Sequence, residues 1–310
     1  MKQTIWLSAI VSAVLLSGCA GSSQPVSTPD IKNEIESGAK VSYLGPAGTY
    51  TEEAAQFFFP DAGEMRPQKT VEEAIAEAAD GQADYAVIPQ ENTVGGAVIA
   101  YVDALIKEQR IHVVGEVILP ISQTLMGVPG AELSDIQTVC SHTQGLSQSE
   151  TWRREHLPNA DVKEMPSTAA AAEYVAQQKD RTIAAVAAPG AAKLYGLDVL
   201  AENVQITMAN KTRFYVLARG KLPDSGHSRA VFVADCRADR LDDLMITIHN
   251  SGLELETVHD RPEGNELGAY SYIIEVKNEA GITEKQIQTV EKEEGVRFLG
   301  SFAVREKNVQ

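Results

Sequence analysis

The side chains with most to offer chemically are hydroxyls and amides that follow short apolar runs. Gly45, Pro46, Ala47, Gly48 and Thr49 follow the run 41–44, and Thr49 and Glu52 have capping-box spacing for the helix that comes next. Ser141 and Gln144 repeat that spacing after Cys140. Such turns leave backbone N–H groups and a hydroxyl at a helix start, which suits a carboxylate; a Ser or Thr there serves in the first place as a cap. A third turn, 90–97, contains Gly95 and Gly96, which permit close backbone approach, so it is a ligand loop or simply a loop. Within it Glu91 and Asn92 read as a solvated turn pair. His142 reads as a helix-start residue ahead of a base. The sequence has no Ser/His/Asp set, no clustered Cys/His metal spacing and no nucleotide-binding glycine fingerprint, so neither metal nor cofactor is expected. These residues describe a crevice of hydroxyls and amides and do not by themselves name a reaction.

The elements that must hold these turns alternate in the manner of an α/β protein. Strands are expected at 41–44, 85–89, 111–119, 136–140, 183–187 and 214–218, and helices at 51–59, 70–79, 100–108, 142–155 and 167–178. The segment 220–228, with Pro223, Asp224, Ser225 and Gly226, breaks the pattern and marks a boundary. Beyond it the order is strand 230–235, helix 240–250, strands 253–259 and 269–276, helix 283–293 and strand 296–304, the ferredoxin-like βαββαβ unit. In α/β sheets ligands sit at the carboxyl ends of strands, which is where the turns above fall.

With 310 residues the chain is long enough for two or three compact units. Its formal net charge of −16 argues against nucleic acid or an anionic membrane surface as partner. An anionic ligand would need local donors and helix amino termini to overcome that field. The first residues read as an export signal, with Lys2, an apolar stretch at 5–16 too short to be a comfortable membrane span, and the small residues Ser17 and Gly18. Leu16, Ser17, Gly18 and Cys19 resemble the bacterial lipoprotein box, in which the cysteine becomes the lipidated first residue. The expected organisation is therefore a signal peptide at 1–18, a flexible tether at 19–39, an α/β domain at 40–219 and a second domain at 229–306, with the protein anchored at a membrane and facing the periplasm. Cys140 and Cys236 fall in different domains and read as buried free thiols.

A series of motifs supplies the reaction. Residues 41–55 resemble the opening motif of prephenate dehydratases, and 89–96 are similar to that family's Glu-Asn-Ser/Thr segment. Ser141, His142, Gln144 and Gln148 fit its Ser-His-Pro-Gln motif, with Thr143 in place of the usual Pro; Ser167 and Thr168 with the following alanines match a further motif, and 187–200 another. Thr212, Arg213 and Phe214 stand where the family has Thr-Arg-Phe. The resemblance implies a two-lobed catalytic domain of periplasmic-binding-protein type with the active site between lobes. It implies that prephenate loses carbon dioxide and water to give phenylpyruvate, with Thr212 as hydrogen-bond donor to the departing hydroxyl. Thr49, Asn92, Thr93, Ser141, Gln144, Ser167 and Thr168 would supply polar contacts. Arg213 would be either a carboxylate partner or a structural ion pair, and Phe214 wall or core.

The second domain resembles the ACT domain that binds phenylalanine in many family members, with Arg261, Pro262, Leu299, Gly300 and Ser301 matching. Where the family has Gly-Ala-Leu this chain has Ala238, Asp239, Arg240 and Leu241, and its Glu-Ser-Arg-Pro element is His259, Asp260, Arg261 and Pro262. Two effector positions are thus replaced, so phenylalanine control stays open, while ferredoxin-like pairing would still make a homodimer or higher oligomer. A lipid-anchored binding protein, or an inactive homologue that senses an aromatic acid, would suit the same two lobes and tether.

Overall fold

The computed structural model describes residues 37–207, 209–220 and 226–308. The leader-like residues 1–18, Cys19 and the tether up to residue 36 lie outside the described residues. The first lobe is built from β1 (Lys40–Leu44), α1 (Tyr50–Phe58), β2 (Glu64–Gln68), α2 (Val71–Ala79), β3 (Tyr85–Asn92), β4 (Gly96–Ala97), α3 (Ile99–Lys107) and β5 (Ile111–Pro120). The chain then crosses into a second lobe of β6 (Thr124–Gly127), β7 (Thr138–Ser141), α4 (Thr143–Gln148), α5 (Glu150–His156), β8 (Asp161–Glu164), α6 (Thr168–Gln178), β9 (Ile183–Ala187), α7 (Pro189–Tyr195) and β10 (Asp198–Ala201). It returns through β11 (Lys211–Arg219). The third unit comprises β12 (Arg229–Arg237), α8 (Leu241–Asn250), β13 (Glu254–Pro262), β14 (Ala269–Lys277), α9 (Glu284–Val290) and β15 (Val296–Phe302), and is followed by β16 (Val304–Glu306).

Two lobes and a ferredoxin-like unit follow from the pairing. The first sheet has the order β16-β5-β11-β3-β1-β2 with β4 beside β3, the second the order β10-β6-β9-β7-β8, and the third the order β13-β14-β12-β15. Strands β1, β2 and β3 run parallel, whereas β11 is antiparallel to both β3 and β5. Alternation along β12 explains why the third sheet is covered on both faces. Ala230, Phe232 and Ala234 pack with Leu244, Ile248 and Ile287 of its helices, while Val231 and Val233 join Tyr101, Leu105 and Tyr215 of the first lobe. Side-chain caps start the helices: Thr49, Thr70, Ser167 and Thr283 each accept a backbone N–H of the helix they precede.

The expected helix over 142–155 is two helices. Ser149 is buried and its hydroxyl donates to the Gly145 carbonyl at 2.7 Å, the local bonding by which a serine competes with helical geometry. The sequence reading passed over β2, β4, β6, β8, β10 and β16. Each is a sheet edge or next to one; β2 carries Pro67, and β8 is exposed throughout, so neither shows the apolar alternation that betrays a strand. Cys140 is buried in β7 and Cys236 half-buried in β12, both as free thiols.

Gly300 is where the third sheet meets the first. Its φ is +153°, and a Cβ there would lie 2.1 Å from the Val113 carbonyl oxygen of β5. Backbone cannot step aside as a side chain can. Gly300→Ala is expected to destabilise the protein by about 1–3 kcal/mol, the usual cost of overpacking; thermal unfolding that is unchanged would contradict this close approach.

Candidate active site

The lobes enclose a cavity of ≈ 280 Å³. Its floor and walls come from the carboxyl ends of β1 and β3, the turn after β1 and the amino end of antiparallel β11: Leu44, Thr49 and Tyr50, Pro89 and Asn92, and Thr212 and Phe214. The second lobe contributes His142, Gln144, Gln148, Ser167 and Thr168. Two segments carry the chain between lobes, tied by Ile121 N–H to the Asn210 carbonyl at 2.8 Å and Val204 N–H to the Gln123 carbonyl at 2.9 Å.

Asn92 organises the centre. Its Oδ1 accepts the backbone N–H groups of Val94 and Gly95, both at 2.9 Å, which fixes which end of the amide is oxygen. Its Nδ2 therefore points to β11, where it donates to Thr212 Oγ1 at 2.8 Å and to Asn210 Oδ1 at 2.9 Å. Thr212 lies opposite Asn92 in the β3–β11 register and is 8 % exposed. A threonine oxygen that accepts from Asn92 retains its own O–H, and among the described residues no protein acceptor takes it. The outcome is a hydroxyl held by a neighbour and free to donate into the cavity. Gln144 Nε2 reaches across from the second lobe to Asn92 Oδ1 at 3.4 Å.

Two full helices, α1 and α6, begin at the cavity with Thr49 and Ser167 as their caps, so their amino-terminal dipoles face it. No Lys or Arg is among the described residues that line it. Anion binding here would rest on N–H groups, amides and hydroxyls. The capping role dominates at Thr49, whose hydroxyl donates to the Leu44 carbonyl at 3.2 Å while accepting Glu52 N–H. Glu52 does not close the box on Thr49; it accepts the Gly48 N–H at 2.6 Å and the Tyr43 hydroxyl at 3.0 Å. His142 is the cap of α4, accepting Gln144 N–H on Nδ1 at 3.3 Å, as its helix-start reading implied.

Of the residues expected to contact a ligand, the structure brings together Thr49, Asn92, Gln144, Ser167, Thr168, Thr212 and Phe214. Three others are placed elsewhere. Ser141 is fully buried and its hydroxyl donates to the Val186 carbonyl at 2.6 Å, joining β7 to β9, so it is not the cap and is not in the lining. Thr93 accepts the Lys211 N–H at 3.0 Å and donates to Asn210 Oδ1 at 3.3 Å, pinning the start of β11. Sequence reasoning missed Gln123 and Gln148, buried amides paired at 3.0 Å in the cavity wall. Gln148 had its place in the Ser-His motif as a signal; Gln123, in a crossing segment, had none.

Arg213 is the third residue outside the lining, because it serves the opposite side of β11 from Thr212. Its Nε donates to Glu116 of β5 and its Nη2 to Glu275 of β14, with Glu91 of β3 3.6 Å from Nη1. Of its two alternatives, the structural ion pair is what the geometry holds. Glu275 is fully buried and also accepts the Tyr215 hydroxyl at 2.6 Å and Gln90 Nε2 at 3.2 Å. Burial first, and Glu275 next, raise the Glu116 pKa to about 7 against the pull of Arg213. Burial alone would lower the Arg213 pKa, but Glu275 and Glu116 more than reverse that. The register shifts here: Arg213 faces Glu91 and Phe214 faces Pro89, leaving Gln90 as the extra residue of a β-bulge. Gln90 and Glu91 consequently both reach the Arg213 side, while Pro89 and Asn92 face the cavity.

The second lobe, the returning strand and all of the first lobe but its edge strand β16 and Lys40 fall inside residues 41–222, which match the family model described as prephenate dehydratase. The chain is 32 % identical over 275 residues to the prephenate dehydratase of Lactococcus lactis subsp. cremoris, spanning 86 % of this chain and 98 % of that one. It is 34 % identical over 273 residues to the prephenate dehydratase of Amycolatopsis methanolica, spanning 86 % and 88 %. The crystal structure of prephenate dehydratase from Arthrobacter aurescens in complex with L-Phe matches with a TM-score of 0.76 and 33 % identity, over 85 % of this chain and 90 % of that one. These matches extend through the third unit, and with Asn92 and Thr212 meeting in the cleft they place this chain in the prephenate dehydratase family.

Proposed function

We propose that the protein converts prephenate to phenylpyruvate, and the observation that carries this is the Thr212 hydroxyl, held by Asn92 and directed into the cleft. In the reaction the bond between the ring and its carboxylate breaks, releasing carbon dioxide. Its electron pair enters the ring, and the opposite hydroxyl leaves with a proton as water. Aromatisation supplies the driving force, so the protein has to orient the substrate and ease the departure of the hydroxyl. Thr212 is a hydrogen-bond donor to that oxygen; the Asn92 N–H on its own oxygen strengthens it as a donor through hydrogen-bond cooperativity. The substrate's carboxylates would be received by the N–H groups at the starts of α1 and α6 and by Ser167, Thr168 and Gln144, in a site with apolar walls at Leu44, Pro89 and Phe214.

Purified protein is expected to form phenylpyruvate from prephenate, read by the product's absorbance. Tight prephenate binding without turnover would overturn the proposal in favour of a binding protein. The same assay with added phenylalanine reads whether the replaced effector positions still transmit. In this chain Arg261 of that element pairs with Asp103 of α3 at 2.5 Å, and His259 meets Tyr101 of the same helix. We further propose that the protein works outside the cytoplasm, anchored by a lipid on Cys19, and that it assembles as a homodimer or larger homo-oligomer. The lipoprotein-like residues 16–19 and the ferredoxin-like unit support these two readings; a lipid label that spares Cys19→Ser, and sedimentation, test them.

A further inference from the structure

Thr212 and Arg213 are neighbours on β11 that serve opposite sides of it, one the cavity and the other the third unit. The same holds one strand over, where Asn92 faces the cavity and Glu91 lies 3.6 Å from Arg213. Register pairs Thr212 with Asn92 and Arg213 with Glu91, so the two residues at the reacting centre are each one peptide away from a residue in the buried network. Glu275 binds both strands, taking Arg213 and Tyr215 of β11 and, through the bulge, Gln90 of β3. A cluster of three acids about Arg213, with Arg229 Nε 3.9 Å from Glu275, is a poor way to gain stability, since desolvating charges costs as much as their pairing returns. It is a good way to fix position, because each donor and acceptor has one geometry.

Resting on the functional reading above, we infer that Glu275 is a positioning residue for the dehydration. From the third unit it holds Arg213, Tyr215 and Gln90, and so fixes the stretch of β11 and β3 that presents Thr212 and Asn92. Glu275 touches no cavity residue's reacting atom, and its effect passes through backbone placement alone. Misplacing a catalytic donor by about 1 Å costs on the order of 10²-fold, so small losses of restraint are legible in turnover.

The test is steady-state turnover of prephenate by the full chain and by Glu275→Gln, across pH. Glu275→Gln is expected to lower kcat by about tenfold or more while KM stays within about threefold, since no substrate contact is removed. The pH profile supplies a readout that lost stability would not give. Glu116 is faced by Arg213 and Tyr215 of β11, by Glu275 of β14 and by Arg229 of β12. With its pKa at about 7, protonation below that pH, on the unpartnered Oε2, leaves Oε1 a neutral acceptor and weakens its hold on Arg213 Nε, so wild-type kcat falls as pH drops through about 7. Removing the neighbouring acid lowers the Glu116 pKa, so the acid limb of Glu275→Gln moves to lower pH. Tyr215→Phe keeps the ring and deletes two bonds, the one it donates to Glu275 and the one it accepts from Gln90 Nε2 at 2.7 Å; kcat is expected to fall about threefold or more at constant KM, in line with the modest net worth of such bonds. Inert wild type would overturn the functional reading. Active wild type with kcat of both variants within twofold and an unmoved acid limb would overturn the positioning role alone. Should Glu275→Gln fail to fold, the kcat of Tyr215→Phe decides.

Discussion

Thr212→Val is expected to lower kcat on prephenate by about 10²- to 10⁴-fold, the range for losing a positioned proton donor to a leaving group. Valine keeps the shape and the strand preference and removes only the hydroxyl. Asn92 Nδ2 retains Asn210 Oδ1 at 2.9 Å as an acceptor, so the loss of stability should be about 1 kcal/mol. KM should change little, because the interaction matters where charge develops on the departing oxygen. Thr212→Ser, which restores a hydroxyl on the same strand, is expected to recover most of the rate. Equal activity in wild type and Thr212→Val would remove Thr212 from the reaction altogether.

Asn92→Asp should be nearly as damaging, by a different route. Oδ1 can go on accepting the Val94 and Gly95 N–H groups, so the second oxygen takes the place of Nδ2. That oxygen then faces Thr212 Oγ1, Asn210 Oδ1 and the Lys211 carbonyl, all of which had accepted from Nδ2. Thr212 is left to donate its proton to the aspartate, away from the substrate. A negative charge also enters a cavity whose lining has no Lys or Arg among the described residues. We expect kcat to fall by on the order of 10²-fold and KM to rise, with stability down by about 1–3 kcal/mol from the opposed acceptors. Kinetics of the isosteric variant beside its melting temperature separate the two effects. Unchanged kcat would mean that the direction of the Thr212 proton is immaterial.

Much of this site could be read in the chain itself, because turns at strand ends have a local chemistry. Thr49 precedes a helix and caps it as its spacing implied, whereas the strand expected at 214–218 begins at Lys211 and takes in Thr212, and Ser167 is the cap of its helix and not its first turn. What could not be read is which way a side chain faces once a strand departs from simple alternation. Counting by twos from Asn92 puts Gln90 on the same face, in the cavity; the bulge sends it to Glu275 instead. Arg213 had two plausible partners in sequence, and only the arrival of Glu116 from β5 and Glu275 from β14 decides between them. Ser141 likewise looks like a cap until β9 supplies the Val186 carbonyl. Gln123 carries no local signal at all, since its place in the wall depends on the path of the crossing segment. The edge strands β2 and β8 escaped for a related reason, lacking a buried face to pattern them.

The short strand β16 has a consequence for how the chain is put together. The first sheet loses the chain after β11 and regains it at β16, which runs parallel to β5 and is reinforced by Arg305 over the Phe58 ring at 4.2 Å and Lys307 beside Glu53 at 2.8 Å. In topological terms the third unit is therefore an insertion within the first lobe, and not an appendage that follows it. The first sheet gains its edge strand only from residues 304–306, so the lobe that begins the chain cannot complete its sheet until the polypeptide has run through the whole of the third unit.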